Sequence, residues 1–341
     1  MSENLKRNDT ELTGIMGIDK IDKLGEIKNA VNWRQYRNDY HDASNLNKLT
    51  PYPIQLDFEL NATCNLKCPM CPLSTESNSD KKHDIFPFEL FCKIIDDGVS
   101  KGLKAIKLNY LNEPLLRDDL EKFIIYAKNA GILDIYFSTN AMLLNEDRAR
   151  SLIQSGVDRM QISIDAFTEN TYKQMRPGGV FHKVKNNVLK LIEIRNELQS
   201  ITPLVRVNFV RTELNEHELQ EFTEFWKINV DMIGVQEMVK PPKTTKEFGS
   251  RTTTKKSGFS CSFPYKQLVI NAQGEVLPCC TFYGEELSLG NIFKIYKETG
   301  GYDLTPFWMS DKMKELRKTH KSGRFYDNPV CNKCIAGSVN I

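Results

Sequence analysis

Three cysteines, Cys64, Cys68 and Cys71, fall within the stretch ELNATCNLKCPMCPLST. Three thiols cannot pair among themselves, and so short a loop does not close comfortably on a disulfide. Clustered thiolates bind soft metals, so a metal centre is the chemistry that this spacing offers. A four-iron cubane and a structural zinc each take four ligands. Three thiolates therefore leave a cluster with one iron open to a substrate or cofactor. A zinc site needs a fourth ligand nearby, and the following PLSTESNSDKKHD supplies only His83, at an awkward distance.

The rest of the composition frames that centre. The chain has 341 residues, 40% hydrophobic and 26% charged, enough for one large domain and a smaller one. Its 46 basic and 44 acidic residues give a net charge of +2, so no global pull toward nucleic acid or an anionic membrane is expected. The N-terminal MSENLKRNDTELTGIMGIDK lacks the apolar core of a signal peptide. No apolar run approaches the roughly 18–20 residues that span a bilayer. A cytoplasmic protein is expected, in which the nine cysteines stay reduced and serve as ligands more readily than as disulfides.

The elements that position the cysteines follow from periodicity. Short apolar runs, IQLDFEL, AIKLNYL, LDIYFSTN, RMQISID, LVRVNFV and MIGVQEM, alternate with amphipathic helical segments that start at Asn, Asp or Pro and stop at Gly. This alternation predicts an α/β fold with a parallel sheet. Six βα units are too few for a closed eight-stranded barrel, so the expected core is an open, partial (β/α)6 TIM-like barrel over residues 51–240. Residues 1–50, with NWRQYRNDYHDASNLNKL, read as a helical arm. The Lys-, Thr- and Pro-rich stretch at 241–258 reads as a linker. Residues 259–341 read as a small module with a β-hairpin around NAQG and a helix at DKMKELRKTHKSG. The three cysteines follow the first strand, at the end where α/β folds place their sites.

The C-x3-C-x2-C spacing after a first strand resembles the signature of the radical S-adenosylmethionine (SAM) superfamily. In that family a [4Fe–4S] cluster on three cysteines binds SAM through its open iron. Its electron then cleaves SAM to a 5′-deoxyadenosyl radical, which abstracts hydrogen from a substrate. The resemblance assigns Cys64, Cys68 and Cys71 to this cluster and Met70 to the position whose backbone meets adenine. The family's Gly-Gly-Glu-Pro segment is matched by LNEP, with Asn112 in place of a glycine and Glu113 facing the SAM ammonium. FSTNA supplies Ser138 and Asn140 for the ribose, SIDAF supplies Ser163 near the carboxylate, and YKQMR supplies Arg176 to pair that carboxylate. Val210, in the fifth strand, is expected to bracket adenine. Taken singly, Ser138 and Asn140 could simply cap the next helix, Glu113 could be loop chemistry and Arg176 a solvated surface residue.

Cys261, Cys279, Cys331 and Cys334, with Gly274 in the hairpin, resemble the auxiliary-cluster extension called SPASM or, in its shortened form, twitch. The resemblance implies a second [4Fe–4S] cluster held by these four thiols, hence two clusters plus SAM; a four-cysteine zinc site is the alternative. Cys92, on an amphipathic helix, reads as a buried inert thiol. Cys280 sits beside a ligand in LPCC and is either a bystander or a hydrogen donor.

Hydrogen abstraction from a carbinol carbon leaves a radical that must lose a proton and an electron to become a ketone. A fully ligated auxiliary cluster suits the electron. Delivery of hydrogen to the opposite face, with Cys280 as donor, would instead give epimerisation. The preferred reading is an oxidoreductase acting on a sugar or aminocyclitol alcohol, free or carrier-bound; a peptide-modifying enzyme is the further alternative. The resemblance implies an external reductant such as flavodoxin or ferredoxin, with no nucleic acid or membrane partner. An electron carrier is disfavoured by the open three-cysteine site, and KPPKTTKEF with TTTKKSGF is the only stretch that could meet RNA.

Overall fold

Side chains alternate in character along the barrel strands, and that alternation builds two different faces. In the first long strand Leu56 and Phe58 are buried beside the flanking helices, whereas Gln55 and Asp57 are buried among polar partners. A later strand repeats the pattern with Met160 and Ile162 against Arg159 and Gln161. The apolar set packs on helices Phe88–Lys101, Leu120–Asn129, Glu146–Ser155, Phe181–Glu197 and Leu219–Lys227 to form the main core. The polar set is joined across the strands. Gln161 Oε1 accepts from Ser138 Oγ (3.1 Å) and from Arg206 Nη2 (2.6 Å), and Gln55 Nε2 donates to Asp57 (2.6 Å) and Tyr136 (2.9 Å). Such groups stay inside only because they are paired.

The computed structural model describes residues 14–28, 30–74, 84–238 and 259–336. Its strands are β1 (Ile15–Met16), β2 (Gln55–Phe58), β3 (Ala105–Lys107), β4 (Asp134–Thr139), β5 (Arg159–Ser163), β6 (Leu204–Arg211), β7 (Met232–Glu237), β8 (Gln267–Ile270), β9 (Glu275–Leu277) and β10 (Gly290–Asn291). They form one sheet in the order β1-β7-β6-β5-β4-β3-β2-β8-β9-β10. Strands β2 to β7 are parallel to one another, which is the expected six-stranded partial barrel. The sheet does not close: its edges are β1, antiparallel to β7, and β10, antiparallel to β9.

The C-terminal hairpin is not a separate layer. Strand β8 pairs parallel with β2, Gln55 opposite Gln267, so the hairpin extends the barrel sheet past its first strand. Glu59 reinforces this joint by accepting from Leu111 N and Ala272 N, each at 3.0 Å. The cysteines of NPVCNKC lie on helix Pro329–Ala336, where the Asn328 side chain accepts from Val330 N and Cys331 N. The expected linker at 241–258, and His83, lie outside the described residues.

Ahead of the barrel, the described residues form helices Asp19–Lys28 and Ala30–Ser44. Ile21, Leu24, Trp33, Tyr36 and Tyr40 pack with Ile54, Ala105, Leu204 and Met232 at the N-terminal ends of four barrel strands. Tyr36 Oη donates to Asp134 (2.9 Å), which also pairs with Arg159. The arm therefore stoppers one end of the barrel, and chemistry is left to the other.

One turn residue is tightly specified. Gly274 has φ +84°, and a Cβ there would stand 2.3–2.8 Å from the Phe293 ring. Gly274→Ala combines a left-handed backbone with overpacking, and we expect it to cost about 2–4 kcal/mol, read as a lower urea midpoint.

Candidate functional site

Cys64, Cys68 and Cys71 occupy the loop after β2, at the open end of the barrel. Turn hydrogen bonds shape it: Cys71 N donates to Cys68 O (2.9 Å), Ser74 N to Cys71 O (3.0 Å) and Lys67 N to Pro177 O (3.2 Å). The three cysteines share an apolar chamber with Leu66, Met70, Met175 and Met238. Burial, with a smaller push from the neighbouring thiols, raises the Cys68 thiol to about 11 and the Cys71 thiol to about 12. Cys64 is raised mainly by burial, with the Glu113 carboxylate adding to it. Left alone these thiols stay protonated; a bound cationic metal is what makes three adjacent thiolates tenable.

Of the expected SAM-contacting residues, Met70, Glu113, Asn140, Arg176 and Val210 meet at this chamber. The Glu113 carboxylate is buried, and burial raises its pKa. Its Oε1 accepts from Thr139 Oγ1 (2.6 Å) and Leu115 N (3.1 Å), and Oε2 from Asn140 N (2.7 Å). A carboxylate oxygen can take two hydrogen bonds, so Oε2 retains an acceptor position. Asn140 Nδ2 donates to Asn65 Oδ1 (2.8 Å) and lies 3.9 Å from Cys64 Sγ. Asn112 bridges Tyr110 N and Asn61 Oδ1. The Ser138 N–H donates to Asn109 Oδ1 (2.7 Å), and Ser163 ends β5. Helix Glu146–Ser155 is capped by Asn145, so neither Ser138 nor Asn140 is spent on that cap.

Arg176 is more committed than its expected role required. It is buried, ion-paired with Asp165, and holds Nη1 3.7 Å from Cys68 Sγ. Asp165 was not singled out from the sequence. It is fully buried at φ 62°, and its Oδ1 also accepts from Val210 N (2.7 Å). The signal lay within SIDAF itself, since Asp is among the few residues that adopt the left-handed region readily.

The second set of thiols faces a cavity of about 210 Å³. Cys261, Cys279, Cys280, Cys331 and Cys334 line one side, and Met70 and Val210 line the other, so the cavity reaches from the first thiol loop to the C-terminal one. Cys331 and Cys334 stand three apart on one helix and share a face. Burial pushes the Cys279 thiol well up, and the neighbouring Cys261, Cys280 and Cys334 contribute to the rise. Among the described residues, no group of three His, Cys, Asp or Glu side chains is arranged to hold a single metal ion. Seven soft donors spread around two buried chambers suit iron–sulfur clusters, which have volume of their own. Tyr110 ties the barrel to this side through a hydrogen bond to Thr281 O. Cys92 is half-buried against the main core and does not line the cavity. His320, which the sequence reading passed over, lines the cavity beside Cys331.

An open α/β barrel with a thiol triplet at its mouth and four further thiols across a shared cavity defines the class: an enzyme built for cluster-dependent chemistry. The chain belongs to the radical SAM superfamily, which residues 58–225 match; residues 261–335 match the SPASM iron–sulfur cluster-binding domain. Membership implies SAM and iron–sulfur clusters as cofactors. A probable GTP 3′,8-cyclase of Methanococcus maripaludis is 34% identical over 170 residues, 49% of this chain and 54% of that protein. The GTP 3′,8-cyclase of Clostridium botulinum is 30% identical over 166 residues, 48% of this chain and 50% of the other. The chain thus spans about half the length of the curated relatives it matches. Streptococcus suis SuiB bound to its precursor peptide SuiA shares the fold with a TM-score of 0.63 at 16% identity, covering 90% of this chain and 75% of SuiB. No helix among the described residues is long and apolar enough to cross a membrane.

Proposed function

We propose that the enzyme oxidises an alcohol carbon of a small polar substrate, a sugar or aminocyclitol, free or carried on a nucleotide. The observation that carries this reading is the single cavity joining Met70 and Val210 to the four C-terminal thiols. A substrate seated there lies between two thiol sets. Cys64, Cys68 and Cys71 would hold the SAM-binding cluster, and Cys261, Cys279, Cys331 and Cys334 a second, fully ligated one. When bound, these groups supply hydrogen-atom removal on one side and one-electron acceptance on the other.

The chain's own residues do the placing. Glu113 Oε2 offers an acceptor to the SAM ammonium, and Asn140, with Ser138 behind it, lies along the same rim. Lys107 and Gln236 line the cavity with side chains that have no hydrogen-bond partner among the described residues, and they present donors to substrate hydroxyls or to an anionic carrier group. Apolar neighbours such as Phe282, Leu287 and Met238 complete the wall and exclude water from the reacting carbon. The GTP 3′,8-cyclase relatives support a nucleotide-carried substrate.

Epimerisation is the second reading, favoured by Cys280, whose thiol lines the same cavity. Anaerobic turnover in D2O separates the two. Oxidation gives a ketone with no deuterium at the attacked carbon, and the reaction survives Cys280→Ser. Epimerisation places deuterium on that carbon through the exchangeable thiol, and Cys280→Ser abolishes it. Deuterated, configurationally inverted product that disappears in the variant would replace the oxidation reading with the second.

A further inference from the structure

His320 is 1% exposed and sits near the end of helix Asp311–Lys321, with both ring nitrogens engaged by residues of the C-terminal thiol set. Cys261 N–H donates to Nδ1 at 3.2 Å, and Nε2 lies 3.3 Å from Cys331 Sγ. A backbone N–H can only donate, so Nδ1 is the acceptor and carries no proton. The neutral ring then holds its one hydrogen on Nε2, directed at the Cys331 sulfur. The helix end that carries the ring is held from several sides. Ser260 Oγ donates to His320 O (2.6 Å), and one turn earlier Arg317 Nε donates to Pro264 O (2.8 Å) and Tyr265 Oη to Arg317 O (3.2 Å).

We propose that His320 is a positioning residue that donates a hydrogen bond to the Cys331 thiolate and thereby raises the reduction potential of the cluster held by the four C-terminal thiols. The inference rests on the assignment of those thiols made above. Reduction adds a negative charge that is shared with the ligand sulfurs. A donor fixed on one sulfur favours the more negative state, as hydrogen bonds to cluster sulfurs do generally. The same imidazole fixes Cys261 through its backbone, so one side chain ties ligands from two separate segments to a common geometry. The consequence bears on the proposed oxidation, because an acceptor with a higher potential takes the released electron more readily.

The test uses the full chain, reconstituted anaerobically in a Cys64→Ala/Cys68→Ala/Cys71→Ala background so that only the C-terminal cluster is observed. His320→Asn keeps an acceptor near Nδ1 for the Cys261 N–H but removes the donor to Cys331. His320→Gln places an amide N–H near the Nε2 position. Iron content and an EPR-monitored redox titration are read for each. We expect roughly four irons throughout, as for one [4Fe–4S] cluster. The midpoint should fall in His320→Asn by an amount equal to at least a tenfold loss of preference for the reduced form, ~59 mV for a one-electron couple. His320→Gln should stay nearer the wild-type value. An unshifted midpoint in His320→Asn, equal shifts in both variants, or loss of iron from both would each overturn the proposal, the last by making His320 a ligand or a framework residue. Absence of a four-iron cluster with His320 intact would overturn the four-thiol assignment itself, and the inference along with it.

Discussion

Replacing Cys64, Cys68 and Cys71 together by alanine lowers iron from roughly eight to roughly four per chain, the loss of one of two [4Fe–4S] clusters. It also abolishes reductive cleavage of SAM. Both effects come from the same physical requirement. The three thiols lie in one apolar chamber, and burial together with mutual repulsion keeps them protonated unless a metal neutralises their thiolates. Without them the chamber offers the metal Met70, Met175 and Met238, whose thioethers are weak ligands for iron. The fold should survive, because the loop that carries the thiols is held by its own turns and the lost sulfurs leave small voids. Retention of about four irons reports that survival directly, since the second thiol set depends on β8 pairing with β2 beside the mutated loop. Iron and sulfide analysis, with 5′-deoxyadenosine quantified under dithionite, reads both results. Zinc in the wild type, or iron unaffected by the triple change, would sink the assignment of all three cysteines.

What could be read from the sequence divides along local and non-local lines. The six barrel strands and their helices carry their period in contiguous residues, and glycines such as Gly102 and Gly156 close helices in the left-handed region. The stretch LVRVNFV is strand β6 with one further residue, Arg211. By contrast, the pairing of β8 with β2 joins residues some two hundred positions apart, and nothing in QLVI distinguishes an edge strand of a small module from a neighbour of the barrel's first strand. Helix Pro329–Ala336 was obscured because its cysteines read as a ligand motif, although Asn328 followed by Pro is a helix start. Among site residues, most predicted SAM contacts were tied to the end of a strand, and Met70 and Arg176 to short motifs, all local features. Asp165 and His320 escaped because their roles are defined by partners elsewhere: Arg176 just past the following helix, and Cys261 far back in the chain. A lone His in KTHKSG looks like any basic residue closing a helix.

Asp165→Ala should destabilise the protein by about 3–5 kcal/mol, the usual cost of leaving one member of a buried ion pair alone. The guanidinium of Arg176 is buried, and Asp165 is the carboxylate it pairs with. The same substitution strips an acceptor from Val210 N and leaves an alanine at φ 62°, which adds strain. Asp165→Asn separates these contributions. Its side chain tolerates the left-handed conformation and still accepts from Val210 N, so what it loses is chiefly the charge opposite Arg176. A double change, Asp165→Asn/Arg176→Met, removes both charges and should recover a substantial part of the loss, because a buried pair replaced as a pair often costs little. The function should not recover with it. Arg176 Nη1 stands 3.7 Å from Cys68 Sγ, and its positive charge lowers the Cys68 pKa against the effect of burial. Taking that cation away leaves the Cys68 thiolate less stabilised, so the double variant should fold yet assemble its N-terminal cluster poorly. Anaerobic urea unfolding gives the first result and iron content the second. A double variant that regained full iron together with stability would show that Arg176 serves only as the counter-ion of Asp165.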